Sequence, residues 1–281
     1  MGGRERPLLV ATDLDGCLLD DATYDLEPAR PALAALALRR ALVVLASSKT
    51  AAEMMLLGQD LGFGSPLIVE NGGALLVPAA RIGRPPAAAT MANGYWTLVL
   101  GERRERLLAL LEVIAAEAGA RVRSFAVMDE DEIVRRTGLA ADSAARARQR
   151  EYDEPFLLEG PERLPYLEES ARAHGLRVSR GARFLHLTGA TDKGAALRVL
   201  LALEAAEGRD YSTIGLGDSP NDAPLLEAVD RPILVPRPGG SVDPLLCAAL
   251  RGAECAPAPG PRGWNAAVLA VLGGKRLPLE S

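Results

Sequence analysis

The strongest constraint on the fold is a set of short, largely apolar runs, several with polar residues at or just beyond their ends. They are 8–12 (LLVAT), 42–46 (LVVLA), 66–69 (PLIV), 212–216 (STIGL) and 232–235 (PILV). None shows apolar–polar alternation, so each reads as a strand buried on both faces, as in a parallel sheet. Helical spacing fills the intervals at 28–40, 50–61, 192–206 and 222–228, with Gly62 stopping the second. Strands and helices alternating through short connections predict a doubly wound, Rossmann-like α/β sheet.

The pattern changes in the middle of the chain. Residues 78–94 are rich in Ala, Pro and Gly and read as a linker. Beyond it come a strand at 95–100, a helix at 103–118 between Gly101 and Gly119, and a strand at 122–127. Short helices at 130–137 and 143–150, a strand at 156–158, a helix at 163–174 and a hairpin of 176–179 with 183–188 follow. This is an α+β unit with its own small sheet. The expected organisation is a discontinuous core, 1–78 and 188–281, interrupted by an insert at 79–187.

Charge and cysteine content remove several classes of function. A net charge of −5 leaves no global field for gathering nucleic acid or anionic lipid, so neither is expected as a partner. An anionic substrate would need local positive charge. Cys17, Cys247 and Cys255 form no CxxC pair, which argues against a disulfide framework and for a reducing, cytoplasmic setting. With His174 and His186 the only histidines, a metal here should be a hard, oxygen-liganded ion. The opening MGGRERPLLV does not read as a signal peptide, and no stretch reaches the roughly 18 unbroken apolar residues of a membrane span.

The polar residues that close the strands carry the chemistry. Asp13 and Asp15, in TDLDG, sit where open α/β sheets bind ligands. They can converge on one cation or divide nucleophile and acid–base roles, although an isolated DxD is more often a solvated turn. Asp218, Asn221 and Asp222, in GDSPND, offer oxygens suited to Mg²⁺, or simply cap a helix. Ser47 and Ser48 follow a third strand and can hold a phosphate oxygen or cap the next helix. Lys193 stands at a helix N-terminus, where the dipole disfavours a cation, so a functional reason for it gains weight.

Together, in this order, the four sites resemble the haloacid dehalogenase superfamily of phosphatases. DLDG matches its first motif, Ser47 its hydroxyl motif, Lys193 its lysine motif and GDSPND its terminal acidic motif. The resemblance implies that Asp13 attacks phosphorus and that Asp15 protonates the leaving alkoxide and then activates water. It implies that Asp13, the Asp15 backbone carbonyl and Asp218 bind Mg²⁺, with Asn221 and Asp222 supporting them. Ser47 and Lys193 would hold phosphate oxygens. Cys17 departs from the threonine usual after DLDG; its thiol beside acids should titrate high, which disfavours a redox role.

The insert stands where the Cof-like branch carries its α/β cap, with 78–94 and 189–191 as hinges. Within that branch the chain is similar to the mannosyl-3-phosphoglycerate phosphatases. The matching segments are SSKTAAEM from Ser47, Glu70-Asn71-Gly72-Gly73, REYDEPF from Arg150, GARFLH from Gly181 and GPRGW from Gly260. The resemblance implies a phosphorylated sugar-glycerate as substrate. Lys49, Asn71 and Gly72 become binding candidates with Ser47 and Ser48. Arg150 and Arg183 would clamp a carboxylate, Glu151 and Glu154 would accept sugar hydroxyls or form a solvated cap face, and His186 would join the site or be a satisfied core or edge histidine. Trp264 would stack on a sugar or, more simply, pack. The alternatives are a Cof-like sugar-phosphate phosphatase of broader specificity, a mutase-like phosphoryl transfer to an acceptor sugar, and a phospho-acceptor signalling domain, which would need no inserted unit. Oligomeric state is not legible.

Overall fold

The computed structural model describes residues 6–181 and 183–279. Ala182 of the GARFLH segment and the first five residues of the N-terminal reading lie outside the described residues.

The chain begins β1 (Leu8–Thr12), α1 (Arg30–Leu38), β2 (Leu42–Ala46), α2 (Ala51–Leu61), β3 (Leu67–Val69), β4 (Ala74–Pro78), β5 (Thr90–Ala92) and β6 (Tyr95–Val99). The middle holds α3 (Arg104–Glu117), β7 (Arg121–Ser124), α4 (Glu130–Thr137), α5 (Ala141–Ala147), β8 (Asp153–Glu159), α6 (Leu164–Ala173), β9 (Arg177–Arg180) and β10 (Leu185–Thr188). It ends with α7 (Lys193–Ala206), β11 (Ser212–Gly217), α8 (Ala223–Glu227), β12 (Arg231–Leu234), α9 (Pro244–Ala249), β13 (Glu254–Cys255) and α10 (Gly260–Leu272).

Among the described residues the large sheet runs β13-β12-β11-β1-β2-β3-β4-β6-β5. Its first six strands are mutually parallel. Both faces are buried, as the apolar runs require. Along β1, Val10 packs with Leu45, Met54 and Trp264 on one side. Leu9 and Ala11 pack with Val44, Leu197 and Leu200 on the other. Trp264 is fully buried and its indole N–H donates to Thr12 Oγ1 at 2.9 Å, which fixes it as a packing residue.

The far edge departs from expectation. The segment read as linker and insert, 79–100, contributes β5 and β6 to the large sheet. The cause is a turn at 70–73 that sends β4 back antiparallel on β3. Glu70, Asn71 and Gly72 all adopt positive φ there, at 48°, 56° and 90°. β6 then pairs antiparallel with β4, and β5 with β6. The second sheet, β7-β8-β10-β9, starts only at Arg121, with α3 and α6 packed on it through Leu107, Leu111, Phe156 and Leu167. No helix among the described residues is long and apolar enough to cross a membrane.

Two close approaches put α7 under the site. A Cβ on Gly72 would lie 2.2 Å from the Asp192 carbonyl oxygen, and one on Gly194 would lie 2.0 Å from that of Pro224. Only glycine permits those contacts. The Asp192 side chain caps α7 by accepting the Ala195 N–H at 2.7 Å, so the helix start is stable despite Lys193.

Candidate active site

The motifs meet because β11, β1 and β2 are adjacent and parallel. Asp13, Ser47 and Asp218 each follow one of these strands, so one sheet edge carries all three. The Asp13 N–H donates to the Leu216 carbonyl at 2.9 Å, tying the first acid to the strand that delivers Asp218. Gly16 (φ 75°) turns the chain tightly past Asp218; a Cβ there would stand 3.0 Å from Asp218 Oδ2.

Lys193 enters from α7 with 1% exposure. Its Nζ donates to Asp13 Oδ1 at 2.7 Å and to Asp222 Oδ1 at 2.6 Å. The other Asp222 oxygen accepts the N–H groups of Asp218 and Ser219, both at 3.1 Å, so Asp222 shapes the acidic loop as well as anchoring the lysine. Asn221 Nδ2 donates to Asn71 Oδ1 at 3.1 Å.

The cluster has one buried cation in contact with two carboxylates, and a third carboxylate close by. Carboxylate oxygens of Asp13, Asp218 and Asp222 all lie within 4.8 Å of one another. Burial, with the Asp222 charge, pushes the Asp13 carboxyl up to about 7 against the pull of Lys193. Burial and the charges of Asp13 and Asp222 hold the Asp218 carboxyl well above its ordinary 3.8. Burial works against the Lys193 charge, but Asp13 and Asp222 outweigh it and hold the ammonium above the usual lysine range. Burial first, and then the surplus of negative charge around one cation, raises the Asp13 carboxyl, while that same surplus holds the ammonium up. Asp218 Oδ1 and Asp15 Oδ1 are buried without a donor. Unpartnered oxygens in a surplus of negative charge fit a hard divalent cation. Cys17 is buried beneath them, and burial with the charges of Asp13 and Asp218 pushes its thiol up, as the sequence implied.

A stability prediction follows for the metal-free protein. A carboxyl whose value is raised on folding costs stability above its ordinary 3.8, and the cost fades as the pH falls to that value. Asp218→Asn removes the cost. It should melt a few degrees above wild type in chelator at neutral pH, and the gain should vanish near about pH 4. A variant melting below wild type at neutral pH would instead assign Asp218 a stabilising pairing with Arg237, 3.6 Å away.

Above the acids a cleft opens between the two sheets. Its walls include Asp13, Asp15, Ser47, Ser48 and Lys49 from the core and Arg150, Arg183 and His186 from the insert. Ser47 Oγ accepts the Lys49 N–H at 3.2 Å, and Thr50 caps α2 with Glu53 in a reciprocal box. Lys49 Nζ pairs with Asp15 Oδ2 at 2.8 Å and lies over the Tyr24 ring. Arg150 Nη1 donates to the Ser48 carbonyl at 2.9 Å. Arg183 reaches across to the Asp21 carbonyl at 2.9 Å.

Four expected contacts are placed differently. Glu154 is buried inside the insert, where it accepts Arg104 Nε at 2.6 Å and the Ala126 N–H at 2.8 Å; it does not line the cleft. One oxygen ties β8 to α3, and the other ties it to the turn at 125–127. Gly72 is spent on the approach to α7, with its carbonyl accepting Thr191 Oγ1. Asn71 bridges Asn221 to Asp153 rather than facing the cleft. Glu151, also proposed for sugar hydroxyls, pairs with Arg103 at the surface. Sequence reasoning did not assign a role to Tyr24, Phe125, Phe184 or Ser219, which line the cleft, or to Asp153 behind its roof. Aromatic residues are sparse here, 4% of the chain, which was the signal available for Tyr24 and Phe125; Phe184 stands in the GARFLH segment.

No family model matches the chain. Its fold matches a subclass IIB sugar phosphatase of the haloacid dehalogenase superfamily at TM-score 0.65 and 14% identity, covering 95% of this chain and 98% of that one. A Synechocystis sucrose-phosphatase solved with sucrose and phosphate matches at TM-score 0.61 and 17% identity, covering 95% and 98%. The fold is that of the haloacid dehalogenase-type phosphatases it matches, and it carries the acids, serine and lysine at one sheet edge.

Curated relatives narrow the class. Glucosyl-3-phosphoglycerate/mannosyl-3-phosphoglycerate phosphatases of Methanococcoides burtonii and Persephonella marina are 36% and 34% identical over 267 residues. Each alignment covers 94% of this chain and 97% of the relative. The chain belongs to this family of phosphoric monoester hydrolases.

Proposed function

We propose that this enzyme is a Mg²⁺-dependent phosphatase hydrolysing mannosyl- or glucosyl-3-phosphoglycerate to the glycosylglycerate and phosphate. The observation that carries the reading is a cleft with Asp13 and Asp15 on its floor and Arg150 and His186 on its roof. The two curated relatives are named for these substrates. The insert, taken from about residue 102 to 188, acts as a cap that selects the group attached to phosphate; the core supplies the chemistry.

An Asp13 oxygen attacks phosphorus, and the bond from phosphorus to the glycerate oxygen breaks. Asp15 gives its proton to the departing alkoxide. A water then loses a proton to Asp15, attacks the aspartyl phosphate and frees Asp13. Ser47 and Lys193 hold phosphoryl oxygens and stabilise the charge that spreads over them. Asp13, the Asp15 carbonyl and Asp218 would hold Mg²⁺, supported by Asn221 and Asp222. When bound, the metal neutralises Asp13 and the phosphate dianion so that like charges can meet. Arg150 and Arg183 suit the glycerate carboxylate. The seated cap excludes all but the hydrolytic water.

Phosphate release from mannosyl-3-phosphoglycerate, glucosyl-3-phosphoglycerate and a panel of hexose phosphates is the test. The two glycerate esters should give kcat/KM at least about 100-fold above the panel, the preference expected when a buried arginine recognises a group the other substrates lack. Equal values across the panel would establish the broader sugar-phosphate reading. Chelation should abolish turnover, and added Mg²⁺ should restore it; undiminished turnover in chelator would remove the metal from the scheme.

A further inference from the structure

We propose that Asp153, a residue of the insert that does not line the cleft, is the positioning residue that aims Arg150 and His186 at the part of the substrate not transferred. The inference rests on the reading above and assigns the device that makes its cap selective.

Asp153 opens β8 and is fully buried. A carboxylate in that setting persists only if its lone pairs are filled. Three side chains from three segments fill them. His186 Nδ1, on the paired strand β10, lies 3.0 and 2.8 Å from its two oxygens. Arg150 Nη1 lies 3.4 Å from Oδ2. Asn71 Nδ2, from the core, donates to Oδ2 at 2.8 Å. Burial alone would raise the carboxyl, but His186, Arg150 and Asn71 overcome it and hold Asp153 below its usual range.

An ionised carboxylate only accepts hydrogen bonds, so Nδ1 of His186 must carry the proton. In the neutral ring that leaves the Nε2 lone pair. Nε2 has no hydrogen-bond partner among the described residues and packs against Gly181, where a Cβ would come within 2.8 Å of it. His186 and Gly181 both line the cleft. A lone pair there accepts a hydroxyl, the group a sugar or glycerate offers. Arg150 is steered in the same way. Its Nη1 is held by Asp153 and by the Ser48 carbonyl, which leaves Nε buried and without a partner. That donor suits a carboxylate. Lost without Asp153 would be the ring tautomer of one group and the aim of the other.

The same carboxylate also grips the core. From Asp153 the chain of bonds runs through Asn71 to Asn221 and on to Ser219, whose hydroxyl donates to Asn221 Oδ1 at 2.5 Å. One buried acid therefore sets the selective side chains in register with the acidic loop.

Two measurements test the proposal. The first uses wild-type protein and needs no substrate. With two histidines in the chain, ¹⁵N NMR of the imidazoles at alkaline pH resolves both, and His174→Gln assigns them. Neutral His186 should be the Nδ1–H tautomer; the Nε2–H tautomer would overturn the proposal. The second compares Asp153→Asn with wild type on mannosyl-3-phosphoglycerate and on p-nitrophenyl phosphate, which lacks sugar and glycerate. The variant should lose about tenfold more kcat/KM on the first than on the second, chiefly through KM. In a His186→Ala background that excess should shrink. Equal losses on both substrates would reduce Asp153 to a structural role. Wild-type protein inactive on the glycerate ester would refute the substrate reading instead, while the tautomer would still decide the role of Asp153.

Discussion

Asp13→Asn should lower kcat by on the order of 10⁴-fold or more, the scale seen when a nucleophile that forms a covalent intermediate is removed. The geometry makes the loss specific to chemistry. Asn has the shape of Asp and its amide oxygen can still accept from Lys193 Nζ, now 2.7 Å from Asp13 Oδ1. Lys193 also keeps Asp222 as its ionic partner. The fold should therefore hold. In the metal-free protein at neutral pH the variant should melt no lower than wild type, because the Asp13 carboxyl, pushed up to about 7, pays for ionising in a buried acidic cluster. Acid-quenched wild-type enzyme should carry labelled phosphate from substrate, and Asp13→Asn should carry none. Activity within tenfold of wild type, or label retained on the variant, would move the nucleophile elsewhere.

Much of this site was legible in the sequence because a strand buried on both faces announces itself locally. LLVAT, LVVLA and STIGL can be placed without knowing their neighbours, and the residues that follow them must then lie at one sheet edge. The pairing β11-β1-β2 brings those ends together. Less legible was the far edge of the sheet. ALLVP is as apolar as the other runs, but it stands between Gly72-Gly73 and an Ala/Pro-rich stretch, which together read as punctuation. Only the positive-φ turn at 70–73 makes it a strand, and two of its three positive-φ residues, Glu70 and Asn71, are not glycine. The position of β6 beside β4 is a long-range choice that no local pattern carries.

The acids of REYDEPF show the same limit. Glu151, Asp153 and Glu154 are neighbouring acids that the sequence alone does not tell apart. The structure gives them three fates: Glu151 pairs at the surface, Asp153 orders the cleft and Glu154 locks α3 to the insert sheet. The difference comes from partners far along the chain, namely Arg103, His186 and Arg104. Buried charge is decided by what arrives to neutralise it, and arrival is a property of the fold.

Lys193→Met should have the second large effect, and on two observables at once. The thioether keeps the volume of the lysine stem but leaves Asp13 and Asp222 facing each other without their shared cation, with Arg237 reaching only Asp218 nearby. Removing one partner from a buried ionic set costs about 3–5 kcal/mol, because the remaining charges stay desolvated. The metal-free variant should be destabilised on that scale at neutral pH. The sign of the pH dependence follows from the direction of the shift. A lysine held above its ordinary 10.5 stabilises the fold fully below that value and loses the contribution only in stronger alkali. The wild-type advantage should therefore span the whole neutral range. It should narrow in acid, where the variant's raised carboxyls take up protons. Added Mg²⁺ should recover part of the lost stability by supplying positive charge to the same oxygens. It should not recover activity, since the ammonium that steadies the transferring phosphoryl group is still missing; kcat should remain about 10²–10³-fold down. Denaturant melts with and without Mg²⁺, run beside phosphate-release assays, separate the two effects. A variant as stable as wild type in chelator would mean that Asp13 and Asp222 do not need Lys193 as their counter-ion.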